Sequence, residues 1–371
     1  MQVKKKIVFI IPSLEGGGSE KVLSILLKYM SLDVYDVTLA VVCKTGVYYD
    51  KLPDGIKKIN LHATRNRYSA IKIYSFLRST APDLVVTFNV NHTYLNVFIA
   101  SLFLPSRIKY IVRESTILSL VLKKAGLLSG FFLKHLYKLA YSRMTIMICQ
   151  SSYMKMDLME NFKLPPKKAI VINNPLEAEI VLRLSHEDAK LFGSHYNVLA
   201  VGRLVHVKGF DLLINAFSKI RSSNIYLTIL GEETLEDPSR KARLIELVKE
   251  HKLDDRISFL SFDPNPFKYM AQADLVVISS RFEGFPNVAI EANSLGKPVI
   301  AFRSPGGISD ILMDGINGSL VAHGNTDDLA AAIENASVKE WNSASIKETT
   351  KKYDIRIIVP AYEKVFDNLI S

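Results

Sequence analysis

Short continuous apolar runs alternate with longer amphipathic stretches along the whole chain, and that alternation predicts βα units on parallel sheets. In the first half the runs fall at 7–12, 36–43, 59–62, 84–88, 110–113, 144–149 and 169–172, each a predicted strand. Most are continuous rather than alternating, as expected when helices cover both faces of a sheet. Helical periodicity lies between them, for example over 19–30 and 70–78. The second half repeats the grammar, with strands expected at 197–201, 225–230, 257–261, 275–279 and 299–301, and helices at 210–220, 240–251, 287–295 and 326–335. Between the halves, 174–195 is polar and irregular with a proline, and is expected to be a linker. A last stretch, 353–370, has the pattern of one or two helices. Two doubly wound sheets would leave a cleft between them, with ligands beyond the C-terminal ends of the strands.

Length and composition agree with this picture. A chain of 371 residues, 48% hydrophobic and 23% charged, fits two globular domains. Its two cysteines, Cys43 and Cys149, sit in apolar runs and form neither a disulfide framework nor a zinc spacing. The lysines and apolar run at the N-terminus superficially resemble a secretion signal. They end in Pro12 and a glycine run rather than a small-residue cleavage pattern, so a first strand is the better reading. No uncharged stretch reaches the ~18 apolar residues of a membrane span. A cytoplasmic protein is expected.

Charge is unevenly spread. Residues 1–180 hold 25 Lys and Arg against 12 Asp and Glu, whereas the rest holds 22 against 25, so the net +10 belongs to the first half. Basic surfaces meet nucleic acid, anionic lipid or phosphorylated ligands. No nucleic-acid motif such as an RNP or zinc-finger pattern occurs, so the last two lead.

Three stretches could carry chemistry. SLEGGGSE (13–20) follows the first strand and precedes a helix; its glycines let backbone amides approach an anion. It is neither a GxGxxG fingerprint nor a Walker loop, and the plainer reading is a turn with Ser19 as N-cap. In VGRLVHVKGF (201–210), Arg203 and Lys208 leave a strand and flank a helix start, a placement suited to a diphosphate. The third, 280–314, carries Glu283 in a Gly/Pro loop and Glu291 on the helix that Pro286 opens. Two carboxylates can be a glycosidase acid and base, or acceptors for sugar hydroxyls, and spacing alone does not separate these. A PGG turn at 305–307 then opens a helix expected over 308–313.

Taken in order, GGG near the N-terminus, GRLVHVKGFDLLINAF, SRFEGFPNVAIEANSLGKPVIAF and PGGISDILMDGINGSLV resemble the retaining glycosyltransferases of family 4, with a GT-B fold. The resemblance spans nearly the whole chain. It implies two Rossmann-like domains facing across a cleft: an acceptor domain over 1–180, joined by the last helix at 353–371, and a nucleotide-sugar domain over 181–352. It also implies roles. Arg203 and Lys208 would hold the nucleotide diphosphate, Glu283 the donor sugar's hydroxyls and Glu291 the ribose. Phe285, Pro286, Asn287 and Val288 would present backbone to sugar and phosphate. Gly16, Gly17 and Gly18 would pack under phosphates or admit the acceptor. Such enzymes need no metal, and no DxD sequence occurs here. The acceptor hydroxyl attacks the face from which the nucleoside diphosphate leaves, giving an α-linkage.

One departure stands out. Many members carry a histidine after the strand matching 110–113, where this chain has Arg113, Glu114, Ser115 and Thr116. Glu114 or Ser115 would take the site; His92 is another candidate. The segment 117–141 is strongly apolar yet holds Lys123, Lys124, Lys134 and Lys138, which suits docking on an anionic membrane, although a core-packed helix would share the pattern. The resulting expectation is an enzyme at the cytoplasmic face of the inner membrane. It would move a hexose or N-acetylhexosamine from a UDP-sugar, or a GDP-sugar, to a polyprenyl-diphosphate-linked saccharide in O-antigen, capsule or exopolysaccharide assembly. A non-catalytic nucleotide-sugar-binding protein and a Rossmann oxidoreductase are the competing readings; the second lacks the fingerprint glycines and their acidic partner.

Overall fold

The computed structural model describes residues 4–370 apart from 16, 45, 47, 51, 90–92, 125, 190, 192 and 236, and, within its elements, the side chains of 44, 67, 89, 124, 127 and 128 are also set aside. Gly16, His92 and the Lys124 side chain therefore lie outside the described residues. The chain divides into two compact units, Met1–Pro175 with Ile355–Ser371, and Leu176–Asp354.

The first unit runs β1 (Lys5–Ser13), α1 (Gly18–Tyr29), β2 (Tyr35–Lys44), β3 (Lys57–Asn60), α2 (Ala70–Thr80), β4 (Leu84–Asn89), α3 (Thr93–Ser101), β5 (Lys109–Glu114), α4 (Leu118–Lys124), α5 (Leu127–Arg143), β6 (Ile146–Cys149), α6 (Ser152–Phe162) and β7 (Ala169–Val171). The second continues with α7 (Ala178–Ser185), β8 (Tyr196–Val201), α8 (Phe210–Phe217), β9 (Ile225–Leu230), α9 (Arg240–Glu250), β10 (Ile257–Leu260), α10 (Phe267–Gln272), β11 (Leu275–Ile278), α11 (Asn287–Ser294), β12 (Val299–Phe302), α12 (Ile308–Ile311), β13 (Gly318–Val321), α13 (Thr326–Val338) and α14 (Ser343–Glu348). The last helix, α15 (Ile355–Leu369), falls in the first unit.

The seven strands of the first sheet lie in the order β3-β2-β1-β4-β5-β6-β7 and the six of the second in the order β10-β9-β8-β11-β12-β13. Neighbouring strands within each sheet pair in parallel. Both are doubly wound, and their switch points fall between β1 and β4 and between β8 and β11, where such folds receive ligands. Strand interiors are apolar on both faces: Ile7, Val8, Phe9, Ile10 and Ile11 of β1 are all buried. α15 is amphipathic and lays Ile358, Val359, Tyr362 and Phe366 into the core formed with α1 and β2.

Every strand expected from the pattern exists, but other readings need correction. The segment 174–195 contains α7, whose Val181 is buried in the second unit's core, so it is not an irregular linker. β13 was not anticipated. It is four residues long and begins at Gly318, where a Cβ would stand 1.9 Å from the Val299 carbonyl oxygen, so close pairing rather than an apolar run marks it. Ser19 lies inside α1, whose N-cap is Gly17. The apolar stretch 117–141 is two helices, α4 and α5, with Gly126 at φ +85° capping the second.

Candidate active site

The loops after β8 and β11 bring Lys208 and Glu283 together. Lys208 Nζ lies 2.5 Å from Glu283 Oε1, and both side chains are only partly exposed, 23% and 16%. Ser280 Oγ donates to the same oxygen at 2.7 Å. Glu283 Oε2 takes no hydrogen bond among the described residues.

Both backbones are clamped. The Glu283 amide donates to the Pro305 carbonyl at 3.1 Å, and the Gly307 amide donates to the Glu283 carbonyl at 3.3 Å. That crossing requires Gly306: its φ is +124°, and a Cβ there would stand 1.5 Å from the Glu283 carbonyl oxygen. On the other side, Ser279 Oγ donates to the Lys208 carbonyl at 3.0 Å. Gly209, at φ +65°, leaves no room for a Cβ, which would lie 2.1 Å from the Ser279 carbonyl oxygen.

Behind this loop is a charge cluster that the sequence pattern does not reveal. Arg281 donates to the His206 carbonyl at 2.7 Å and to both oxygens of Asp211 at 3.0 and 2.6 Å. Arg240 adds a second contact to Asp211 at 2.7 Å. Burial would raise the Asp211 pKa, but the Arg281 hydrogen bonds and the charges of Arg281 and Arg240 outweigh it and hold the carboxyl below its ordinary value. In sequence, Asp211 looks like an ordinary acid in a helix's first turn. Its partners lie 70 and 29 positions away, which only folding brings close.

The other expected residues of this unit lie in the loop after β8 and in the loop and helix after β11. Arg203, at the exit of β8, is exposed and has no ion pair or hydrogen bond from its side chain among the described residues. Pro286 is the N-cap of α11, no side chain caps that end, and Asn287 and Val288 form its first turn. Glu291 follows on α11 and is buried, 7% exposed, with a partner of its own. Phe285 is also buried, its ring edge-on to Tyr353 at 5.5 Å, so its side chain packs while its backbone borders the loop.

In the first unit the candidates separate. Glu114 ends β5 and is 1% exposed; Tyr141 Oη donates to its Oε1 at 2.8 Å, and Gln150 Nε2 donates to its carbonyl at 2.8 Å. Tyr94 stacks on Tyr141 with centroids 5.3 Å apart, and Tyr137 closes the cage. Burial first, and then the Glu114 carboxylate, push the phenols of Tyr137 and Tyr141 well above the usual range, so both stay protonated as donors. Glu114 thus points into the tyrosines, while Ser115 stays half-exposed on the loop. Gly17 donates its amide to the carboxylate of Glu20, which also accepts from Ser13 Oγ at 3.0 Å. The glycine loop therefore carries its own internal anion, and Gly18 is the first residue of α1.

Arg113 points to the opposite face of β5 from Glu114 and is 0% exposed. Its Nε donates to Tyr362 Oη at 2.8 Å and its Nη2 to Asn174 Oδ1 at 2.5 Å, and its guanidinium lies over Phe88. Nη1 has no partner among the described residues. This ties α15 to the sheet.

Two doubly wound parallel sheets, one in each unit, have the architecture of a GT-B fold. The family described as glycosyl transferases group 1 matches residues 184–353, the part that holds Lys208 and Glu283. An N-acetylgalactosamine-N,N'-diacetylbacillosaminyl-diphospho-undecaprenol 4-alpha-N-acetylgalactosaminyltransferase of Campylobacter jejuni is 27% identical over 94% of this chain and 96% of its own. The amylovoran biosynthesis glycosyltransferase AmsD of Erwinia amylovora is 24% identical over 83% and 84%. The crystal structure of Anabaena HepE in complex with UDP superposes with a TM-score of 0.78 at 19% identity, covering 98% of this chain and 100% of that one. Residues 184–353 thus match the group 1 glycosyltransferases, and with these relatives along its length the chain is a glycosyltransferase enzyme.

Proposed function

We propose that the Lys208–Glu283 site holds a nucleotide sugar and that the enzyme transfers its hexose or N-acetylhexosamine, with retention, to a lipid-linked glycan in surface-polysaccharide assembly. The observation that carries this reading is the meeting of a clamped cation and a clamped carboxylate at the β8/β11 switch point. Lys208 and Arg203 neutralise the diphosphate, Glu283 accepts from sugar hydroxyls, and Glu291 binds the ribose. The uncapped N-terminus of α11, at Pro286, Asn287 and Val288, offers amides to phosphate or sugar. With that much positive charge the departing diphosphate needs no metal.

In the reaction the acceptor oxygen bonds to the sugar's anomeric carbon as the bond to the diphosphate breaks on the same face. The acceptor proton passes to the departing phosphate oxygen, and an α-linkage results. The name of the Campylobacter relative supports an α-linkage and a diphospho-undecaprenol acceptor, and the UDP in the Anabaena structure supports UDP over GDP. Gly17 and Gly18 pack under phosphates or admit the acceptor, Ser115 takes the place of the histidine that positions the donor sugar in many family members, and Glu114, caged by tyrosines, positions the loop that holds Ser115.

The same unit offers a membrane-facing surface. α5 buries Tyr137, Ala140 and Tyr141 on one side, while Phe131, Phe132, Leu136 and Leu139 stay exposed on the other, beside Lys123, Lys134 and Lys138. No helix among the described residues is long and apolar enough to cross a membrane. An unpartnered apolar stripe flanked by lysines suits peripheral docking on the anionic cytoplasmic leaflet of the inner membrane.

A thermal-shift screen of UDP- and GDP-sugars tests the donor, since a tight ligand raises apparent stability by mass action. NMR of the product formed with the stabilising donor and a synthetic polyprenyl-diphosphate saccharide, in EDTA, tests the rest. An α-anomeric product is expected; a β-linked product, or an absolute need for added divalent metal, overturns the proposal.

A further inference from the structure

Lys208 and Glu283 neutralise each other through their ion pair. A diphosphate must draw the ammonium towards itself, but the nearest negative charge to that ammonium, at 2.5 Å, is already Glu283 Oε1. Neither partner can drift away by loop motion, because Ser279 holds the Lys208 carbonyl and residues 305–307 hold both sides of Glu283. The adjustment therefore falls on the side chains. Resting on the donor-site reading above, we infer that Glu283 is an internal competitor of the diphosphate for Lys208, so that the pair discriminates between the nucleotide sugar and the spent nucleoside diphosphate.

The chemistry is asymmetric. When the whole donor binds, Lys208 turns to the diphosphate and the sugar's hydroxyls replace it as donors to Glu283, whose Oε2 is open and whose Oε1 keeps the Ser280 hydroxyl. When only the nucleoside diphosphate is bound, Lys208 is still drawn away, but nothing replaces it on the partly buried carboxylate. A carboxylate that loses its cation in a half-buried position is penalised, and that penalty falls on product and not on substrate. Glu283 thereby acts as a specificity-determining residue that weakens product retention, in addition to contacting the sugar.

The test is calorimetric titration with whichever of UDP and GDP the wild-type enzyme binds more tightly, applied to Glu283→Gln, Lys208→Met and the double variant. Removing the competitor should tighten nucleoside diphosphate binding by about two- to fivefold, the upper range for a partly exposed ion pair. Lys208→Met should weaken it, and Glu283→Gln should add nothing in the Lys208→Met background. If Glu283→Gln binds as the wild type does or more weakly, the inference fails. It fails equally if the gain persists without Lys208, since Glu283 would then merely repel the ligand. A Lys208→Met protein that binds as well as wild type instead overturns the donor-site reading itself. Should Glu283→Gln fold poorly, Glu283→Ala gives the same comparison.

Discussion

Replacing Gly306 with alanine should disable the site without touching any group that meets a ligand. The new Cβ would begin 1.5 Å from the Glu283 carbonyl oxygen, against an ordinary contact of about 3.4 Å, so the two segments must part by about 2 Å. Alanine at φ +124° adds strain of about 1–3 kcal/mol. Parting the segments breaks the Glu283–Pro305 and Gly307–Glu283 hydrogen bonds, each worth about 1 kcal/mol. The sum, about 3–5 kcal/mol, should lower the melting temperature of the second unit on the order of 10 °C. Since a 1 Å misplacement of a reacting group can cost about 100-fold, kcat/KM should fall at least that far. Gly324→Ala is the matched control. Its φ is also positive, +76°, but nothing lies within 4 Å of its Cβ, so it should cost about 1–2 kcal/mol and leave transfer unchanged. Differential scanning fluorimetry and a transfer assay with saturating acceptor read both quantities. Wild-type kcat/KM in Gly306→Ala, or equal losses in the two variants, would refute the claim that the 305–307 crossing sets the position of Glu283.

Glu283→Ala should abolish measurable transfer while the protein melts within a few degrees of wild type; retained turnover would remove Glu283 from the site. Asp211→Asn should loosen the loop that carries Lys208 and lower stability at pH 7. Because the folded pKa of Asp211 lies below its ordinary 3.8, its contribution is complete above that value and is lost as pH falls through the lower folded value, so the gap between variant and wild type should close in acid. A gap independent of pH would exclude the charge cluster as its cause. Replacing Phe131 and Phe132 together with serine should weaken sedimentation with anionic vesicles by about tenfold or more, given the apolar area lost, and binding should also fall with salt. Absence of wild-type binding at low salt would refute the docking surface. Tyr362→Phe leaves Arg113 Nε without its buried partner and should cost about 1–3 kcal/mol by denaturant unfolding; unchanged stability would show that the guanidinium does not anchor α15.

How much was legible in the sequence follows from the range of each interaction. Continuous apolar runs such as 7–12 and 225–230 must be buried on both faces, so their pattern alone dictates strands, and alternation with amphipathic stretches dictates parallel sheets. Lys208 and Glu283 were recognisable because each sits in a glycine-bearing loop directly after a strand, a position fixed by local grammar. What the pattern could not carry were contacts between residues far apart in sequence. Asp211 and Arg281, 70 positions apart, meet only because β8 and β11 are neighbours, and no local signal separates that pair from solvated surface charges. Glu114 was a candidate because the family resemblance implies a histidine near its position, but strand pleating and three tyrosines on α3 and α5 turn it inward. α7 and β13 escaped notice because each is short and holds its place through packing against distant elements rather than through a strong period of its own. Sequence by itself determined the fold class and singled out Lys208 and Glu283 as candidates. Tertiary structure decided that those two are paired, what clamps them and which oxygen of Glu283 remains open, because each of these depends on distances that only the closed sheet sets.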